Sequence, residues 1–256
     1  MYTEELFGLK DKVAVVTGGN SGIGKAVALG LAKAGAKIAI LSRTSAEESV
    51  SNIVQAGGEA FHIPTDVTVQ EQVISALEEV EKRWGTIDVV FNNAGIAFHK
   101  PALEVEPDKF REIIDINLNG IYIVAREAAK VMIRNNTRGS IINTSSICNV
   151  ICTLPQHQAA YNASKAGVRH LTRSLALEWI EYGIRVNCLS PGYITSPMTV
   201  PPFVAQEVLD EWIYRCPMGR MGNADELIPA VLYMASNAAS YTTGADCMVD
   251  GGYTIP

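Results

Sequence analysis

What most constrains this chain is an unbroken alternation of short β-branched runs with longer stretches of helical period. Residues 13–17, 38–41, 60–63, 87–91, 140–143, 185–189 and 247–249 read as seven strands. Between them, residues 22–35, 45–57, 69–84, 107–135, 158–182 and 224–237 read as helices. On the first of these, Ile23, Val27 and Leu31 recur four residues apart and form one apolar face. Gly35, Gly57 and Gly183 stand where helices are expected to end. Parallel strands need long crossovers, so the pattern predicts a Rossmann-type α/β fold: a doubly wound parallel sheet of seven strands with helices on both faces. No linker, low-complexity run or repeat divides residues 1–256, so a single domain is expected. The one long irregular stretch, residues 190–217, contains Pro191, Pro197, Pro201, Pro202 and Pro217 and predicts a substrate-covering loop over about residues 193–217.

Charge and composition narrow the partners. The 27 acidic residues outnumber the 21 basic ones, leaving −6 at pH 7 and no surplus to neutralise phosphates, so nucleic acid is not an expected partner. No apolar run approaches the ~18 residues of a membrane span. Residues 1–11 carry Glu4, Glu5 and Asp11 without an apolar stretch, so no secretory signal is expected. Cys148, Cys152, Cys188, Cys216 and Cys247 include no Cys-x-x-Cys pair, and His62, His99, His157 and His170 are scattered. That spacing predicts no metal site and reduced thiols in a cytoplasmic protein.

Directly after the first strand comes Thr17-Gly-Gly-Asn-Ser-Gly-Ile-Gly24, opening a helix. Such glycines let the backbone turn tightly and approach a pyrophosphate whose charge the helix N-terminus favours, although a plain turn also accounts for them. At the end of the second strand, Leu41-Ser-Arg-Thr44 has no acidic residue to hold a ribose 2′-hydroxyl. Ser42 and Arg43 suit a 2′-phosphate instead, which points to NADP(H) rather than NAD(H). Tyr161 and Lys165, four apart on a helix, share a face. A nearby ammonium, and the positive nicotinamide of an oxidised cofactor, favour the phenolate, so Lys165 and the cofactor together are expected to lower the pKa of Tyr161 from its ordinary value near ~10 and fit it for acid/base work.

These stretches together resemble the short-chain dehydrogenases/reductases over nearly the whole chain, in the single-domain branch. The glycine loop matches T-G-x-x-x-G-I-G, Asn92-Asn-Ala-Gly95 matches N-N-A-G, Tyr161-Asn-Ala-Ser-Lys165 matches Y-x-x-x-K, and Pro191-Gly192 follows the sixth strand. The resemblance implies a cofactor site of Gly18, Asn20, Ser21, Gly22, Ile23 and Gly24, then Ser42, Arg43, Asp66 (against the adenine) and Val67. It adds Asn93, Ala94 and Gly95, then Tyr161, Lys165, Pro191, Gly192, Ile194 and Ser196, with Thr195 the less favoured hydroxyl for the carboxamide. It implies catalysis by Asn117, Ser146, Tyr161 and Lys165, Asn117 bending its helix and serving a proton route from the lysine. Relatives often keep the serine thirteen residues before the tyrosine, where this chain has Cys148. Ser146, fifteen before, follows the polyol-type pattern, and Ser145 is expected to face the sheet interior.

The implied activity is interconversion of a secondary alcohol and a ketone, on a polyol, ketose or other small carbonyl substrate. Phe98, Tyr193, Phe203, Trp212 and Tyr214 are candidates for lining its cavity. A homotetramer is implied by the same resemblance. Two other readings remain: a 3-oxoacyl-carrier-protein reductase, which needs a basic patch such as Arg126, Lys130, Arg134 and Arg138, and a dinucleotide-sensing or scaffold protein.

Overall fold

A computed structural model of the chain describes residues 2–196, 199 and 204–256. The chain runs α1 (Tyr2–Phe7), β1 (Val13–Thr17), α2 (Gly22–Lys33), β2 (Lys37–Ser42), α3 (Glu47–Gln55), β3 (Ala60–Pro64) and α4 (Gln70–Trp84). There follow β4 (Val89–Asn92), α5 (Pro107–Ile114), α6 (Gly120–Arg134), β5 (Ser140–Thr144), α7 (Ala159–Trp179) and β6 (Arg185–Pro191). Last come β7 (Ile194–Thr195), α8 (Gln206–Arg215), β8 (Gly222–Asn223), α9 (Ile228–Ala235) and β9 (Asp246–Val249).

All seven expected strands form one parallel sheet in the order β3-β2-β1-β4-β5-β6-β9. Strand β1 shows why they read as unbroken apolar runs. Val13 and Val15 enter one core layer with α4 and α6, while Ala14 and Val16 enter the other with α2 and α9. Both faces are covered, so a polar residue enters the strands only with a hydrogen-bond partner, as Thr17 does at the end of β1. The strand order reverses between β1 and β4, which places the crevice for a ligand at the carboxyl ends of β1, β4 and β5.

Two expectations need correction. The span 107–135 is not one regular helix: a π-helical turn, Asp115–Asn119, interrupts it between α5 and α6. The cause is Asn117, whose side chain is drawn to the backbone of Ile96 and holds the helix open there. Nor is the span 190–217 irregular throughout. It contains β7, which pairs with β8, and α8, which buries Trp212. Pro197, Pro201, Pro202 and Phe203 lie outside the described residues. Among those described, no helix is long and apolar enough to cross a membrane.

Candidate active site

The end of β1 and the start of α2 form the first wall of the crevice. A Cβ on Gly24 would fall 2.3 Å from the Gly18 carbonyl oxygen, so the loop closes on itself only with glycine there. Ser21 caps α2 in extended backbone, and its hydroxyl makes no capping bond. The first helical bond runs from Lys25 N to Ser21 O, leaving the N–H groups of Gly22, Ile23 and Gly24 without helical partners. Across from them, a Cβ on Gly22 would lie 4.0 Å from that of Ser196, in open space. This donor set fits a dinucleotide pyrophosphate.

Thr17 ties this wall to the next. Its Oγ1 accepts from Asn93 N at 2.9 Å and Ala94 N at 3.0 Å, and Asn93 Nδ2 donates to Thr17 O at 3.3 Å. Thr17 was not among the expected site residues, although its place as the first residue of the glycine motif marked it. Gly95 lies against Asn117, whose Oδ1 a Cβ there would approach to 3.1 Å. Val67 packs into the core beside Gly120. Gly192 serves packing more than ligand approach, because a Cβ on it would fall 2.7 Å from Asp250 Cα. Pro191 ends β6 beside Val249 of β9, and Ile194 is buried in the small β7–β8 sheet. Ser196 faces Gly22, whereas Thr195 points to solvent.

At the end of β2, Ser42 is buried and already engaged. Its hydroxyl donates to Thr44 O at 2.8 Å and lies 3.0 Å from His62 Nε2. Arg43 is the available group, 62% exposed and only 3.9 Å from Asp66. Asp66 is desolvated, which raises its carboxyl, yet hydrogen bonds from Thr68 and the Arg43 charge hold it below its usual value. Asn20 Nδ2 reaches Thr44 Oγ1 at 3.0 Å, joining the glycine loop to the same corner. Arg43, Asp66 and Thr68 border a groove of about 570 Å³ whose far side includes Asp115, Ile116 and Asn119.

The reacting groups meet at the end of β5 and the first turns of α7. The Ser146 hydroxyl lies beside Tyr161, where it favours the phenolate, and Ser146 Oγ accepts from Cys148 N at 3.2 Å. Ser145 faces inward and donates to Lys165 O at 3.0 Å, as expected. Lys165 is 4% exposed, and its Nζ donates to Thr144 O at 2.8 Å, 5.6 Å from the centroid of the Tyr161 ring. Asn117 is fully buried: Nδ2 donates to Ile96 O at 2.9 Å and Ser164 Oγ at 3.2 Å, while Oδ1 accepts from Ile96 N at 2.8 Å.

One electrostatic expectation is overturned. In the chain by itself Lys165 does not lower Tyr161. Burial, aided by the neighbouring Cys148, pushes the phenol up, and only the Ser146 hydroxyl opposes it. Burial likewise draws Lys165 down to about 8. Desolvation outweighs pairing because the ammonium is aimed at a carbonyl and not at the phenol oxygen.

The aromatic candidates separate. Tyr193 stacks on Trp212 at 4.1 Å between centroids and packs in one cluster with Tyr161. Trp212 is buried and donates from Nε1 to Gln156 Oε1 at 2.9 Å, pinning α8 over the site. Tyr214 is 84% exposed and lines nothing, and Phe98 lies under Lys109 Nζ at 5.0 Å.

Residues 18–254 match the family model described as enoyl-(acyl carrier protein) reductase. The sorbose reductase of Candida albicans is 42% identical, over 98% of this chain and 90% of its own. A short-chain type dehydrogenase/reductase from Mycobacterium marinum superposes with a TM-score of 0.95 at 40% identity, covering 98% of this chain and 99% of its own. A gluconate 5-dehydrogenase from Burkholderia cenocepacia, solved with NADP and tartrate, gives 0.92 at 36% identity over 99% of each chain. The chain belongs to the short-chain dehydrogenase/reductase family. It is an oxidoreductase that interconverts a secondary alcohol and a ketone.

Proposed function

We propose that this enzyme uses NADP(H) to interconvert a ketose, or a related polyhydroxylated ketone, and its alcohol, with Ser146, Tyr161, Lys165 and Asn117 as its working residues. The observation that carries the reading is Ser146 and Tyr161 set together beside buried Lys165, at the sheet end where α2 presents N–H groups without helical partners. A bound nicotinamide would supply the hydride for the carbonyl carbon, or accept it from the carbinol carbon. Ser146 donates its hydroxyl hydrogen to the substrate oxygen, where negative charge develops. Tyr161 gives that oxygen its proton in reduction and takes it back in oxidation. Lys165 would hold the ribose hydroxyls of a bound cofactor, and Asn117 fixes the backbone of Ile96 after β4.

The glycine loop from Gly18 to Gly24, with Ser42, Arg43, Asp66, Val67, Asn93, Ala94, Gly95, Pro191, Gly192, Ile194 and Ser196, completes the cofactor site. Exposed Arg43 without a competing acidic residue on β2 supports the 2′-phosphate. The solved relative holding NADP supports it too. The sorbose and gluconate activities named for the relatives support a polyhydroxylated substrate. A carrier protein would need free basic charge, yet Arg126 and Lys130 both pair with Glu127, and Arg134 pairs with Glu81. Apolar residues exposed on α6 and on and just after α7, among them Tyr122, Leu177, Ile180 and Tyr182, support a homotetramer, which light scattering reads directly. A cytoplasmic setting suits five unpaired cysteines.

The test is loss of reduced-nicotinamide absorbance with a panel of ketoses, sugar-acid ketones and simple ketones. NADPH is expected to support turnover and Tyr161→Phe to reduce it by more than about a thousandfold, because the proton itself is removed. Faster turnover with NADH, or a Tyr161→Phe enzyme near native rate, overturns the reading.

A further inference from the structure

Two glutamines precede Tyr161 on the segment leading into α7, and they are used differently. Gln156 is spent: Nε2 donates to Tyr193 Oη at 2.7 Å and Thr153 Oγ1 at 3.1 Å, while Oε1 accepts from Trp212 Nε1 at 2.9 Å. Its amide fastens the covering helix α8 to the site. Gln158, buried at the N-cap of α7, donates from Nε2 to Thr153 Oγ1 at 3.0 Å and to Cys148 Sγ at 3.1 Å. His99, an exposed residue of the loop after β4, lies near the same side chain, which favours its protonated form.

The bond to Cys148 is the weak one. A sulfur is a poor acceptor, so this N–H has the least to lose of any amide donor at the site. Exchanging N–H···S for N–H···O with a ligand hydroxyl is favourable and leaves behind a thiol, which tolerates burial without a partner. The position is also right. Cys148 packs in one cluster with Tyr161 and takes the Ser146 hydroxyl onto its own backbone N–H. Through Cys148, which packs with Tyr161, the Gln158 amide stands to one side of the reacting pair, where a group beside the reacting carbon would meet it. A neutral amide there hydrogen-bonds a polar substituent and offers an acyl chain nothing.

We propose that Gln158 is the specificity-determining residue for the substrate hydroxyl adjacent to the reacting carbon, its Nε2–H leaving Cys148 Sγ for that hydroxyl while His99 steadies the amide from the rim. The inference rests on the polyhydroxylated-ketone reading above and adds the group that recognises it. The experiment compares kcat/KM for sorbose with kcat/KM for cyclohexanone, which has no second oxygen. In Gln158→Met, of equal length without an amide, the sorbose-to-cyclohexanone ratio is expected to fall about tenfold or more. His99→Ala is expected to lower it about threefold, on the weaker end of a neutral hydrogen bond. Cys148→Ser, close in size, gives Gln158 a stronger acceptor to leave and is expected to lower the ratio about threefold as well. It serves where Gln158→Met does not fold, as judged by circular dichroism. A native enzyme that reduces cyclohexanone and no ketose defeats the substrate reading. A native enzyme that favours sorbose while folded Gln158→Met, or failing that Cys148→Ser, keeps the native ratio defeats this inference alone.

Discussion

At the reacting end of the crevice, Asn117 is fully buried and Lys165 nearly so, and each is bonded to backbone carbonyls, Ile96 O and Thr144 O. At the nucleotide end, Arg43 reaches into solvent and meets Asp66 at 3.9 Å, beyond hydrogen-bonding distance. The first arrangement holds its groups through desolvation and directed bonds, which fix orientation and shift proton affinity. The second holds a charge in water, where it attracts an anion with little preorganisation and is screened by salt. Chemistry that must place a proton within a few tenths of an ångström is built the first way. Selection between two cofactors that differ by one phosphate needs only the second.

The sharpest break in that comparison is the proton on Lys165. The unfolded chain keeps it up to the ordinary lysine value, whereas the folded chain releases it near 8. Between those values unfolding takes up a proton, so stability contributed at this site rises with pH. The penalty is fully present below pH 8 and is relieved as pH climbs toward ~10.5. Chemical denaturation of the cofactor-free enzyme and of Lys165→Met across this range is expected to show the difference in unfolding free energy shifting by about 3 kcal/mol in favour of the native chain. A flat difference would mean that Lys165 stays charged in the folded state and that its burial is compensated.

Ser146→Ala comes next. A hydroxyl donor to a developing oxyanion is worth about a hundredfold in kcat, and it is the Ser146 hydroxyl that favours the Tyr161 phenolate, while Cys148 opposes it. Cys148 instead sits under the Gln158 amide. Loss of about a hundredfold or more in Ser146→Ala, with a far smaller loss in Cys148→Ala, is the expected order in steady-state assays. The reverse order would restore the thirteen-residue spacing and move the oxyanion donor to the thiol position.

How much of this was legible in the sequence follows the same division. Strands buried on both faces announce themselves locally, and so do the glycine loop and the Tyr161–Lys165 spacing, since each depends on neighbours within a few residues. The π-turn shows only through the resemblance, which implied that Asn117 bends its helix, because it exists through Asn117 meeting the Ile96 backbone 21 residues away. The commitment of Ser42 to His62 needs the pairing of β2 with β3. Tyr161 was read as a lowered phenol because Lys165 is near in sequence, whereas its burial is a property of the whole fold. Trp212 and Tyr214 stand two apart on α8 and looked equivalent. Only the docked face separates the buried indole from the exposed phenol.

The smallest expected effect tests the open end. Arg43→Ala leaves a 2′-phosphate with Ser42 and Asn20 nearby, but Ser42 already donates to Thr44 O and Asn20 to Thr44 Oγ1. Neither can replace the lost charge without giving up a bond, so the loss should be that of one charge-assisted contact, roughly 1.5 kcal/mol or about tenfold in KM for NADPH. NADH lacks the phosphate and should be little affected, so the two cofactors converge. Added salt is the companion measurement. Because Arg43 is solvated, raising ionic strength from 0.05 to ~0.5 M should weaken NADPH binding to the native enzyme several-fold and erase most of its difference from Arg43→Ala. If the native preference survives high salt unchanged, the phosphate is held by buried groups, and the nucleotide end is built like the reacting end after all.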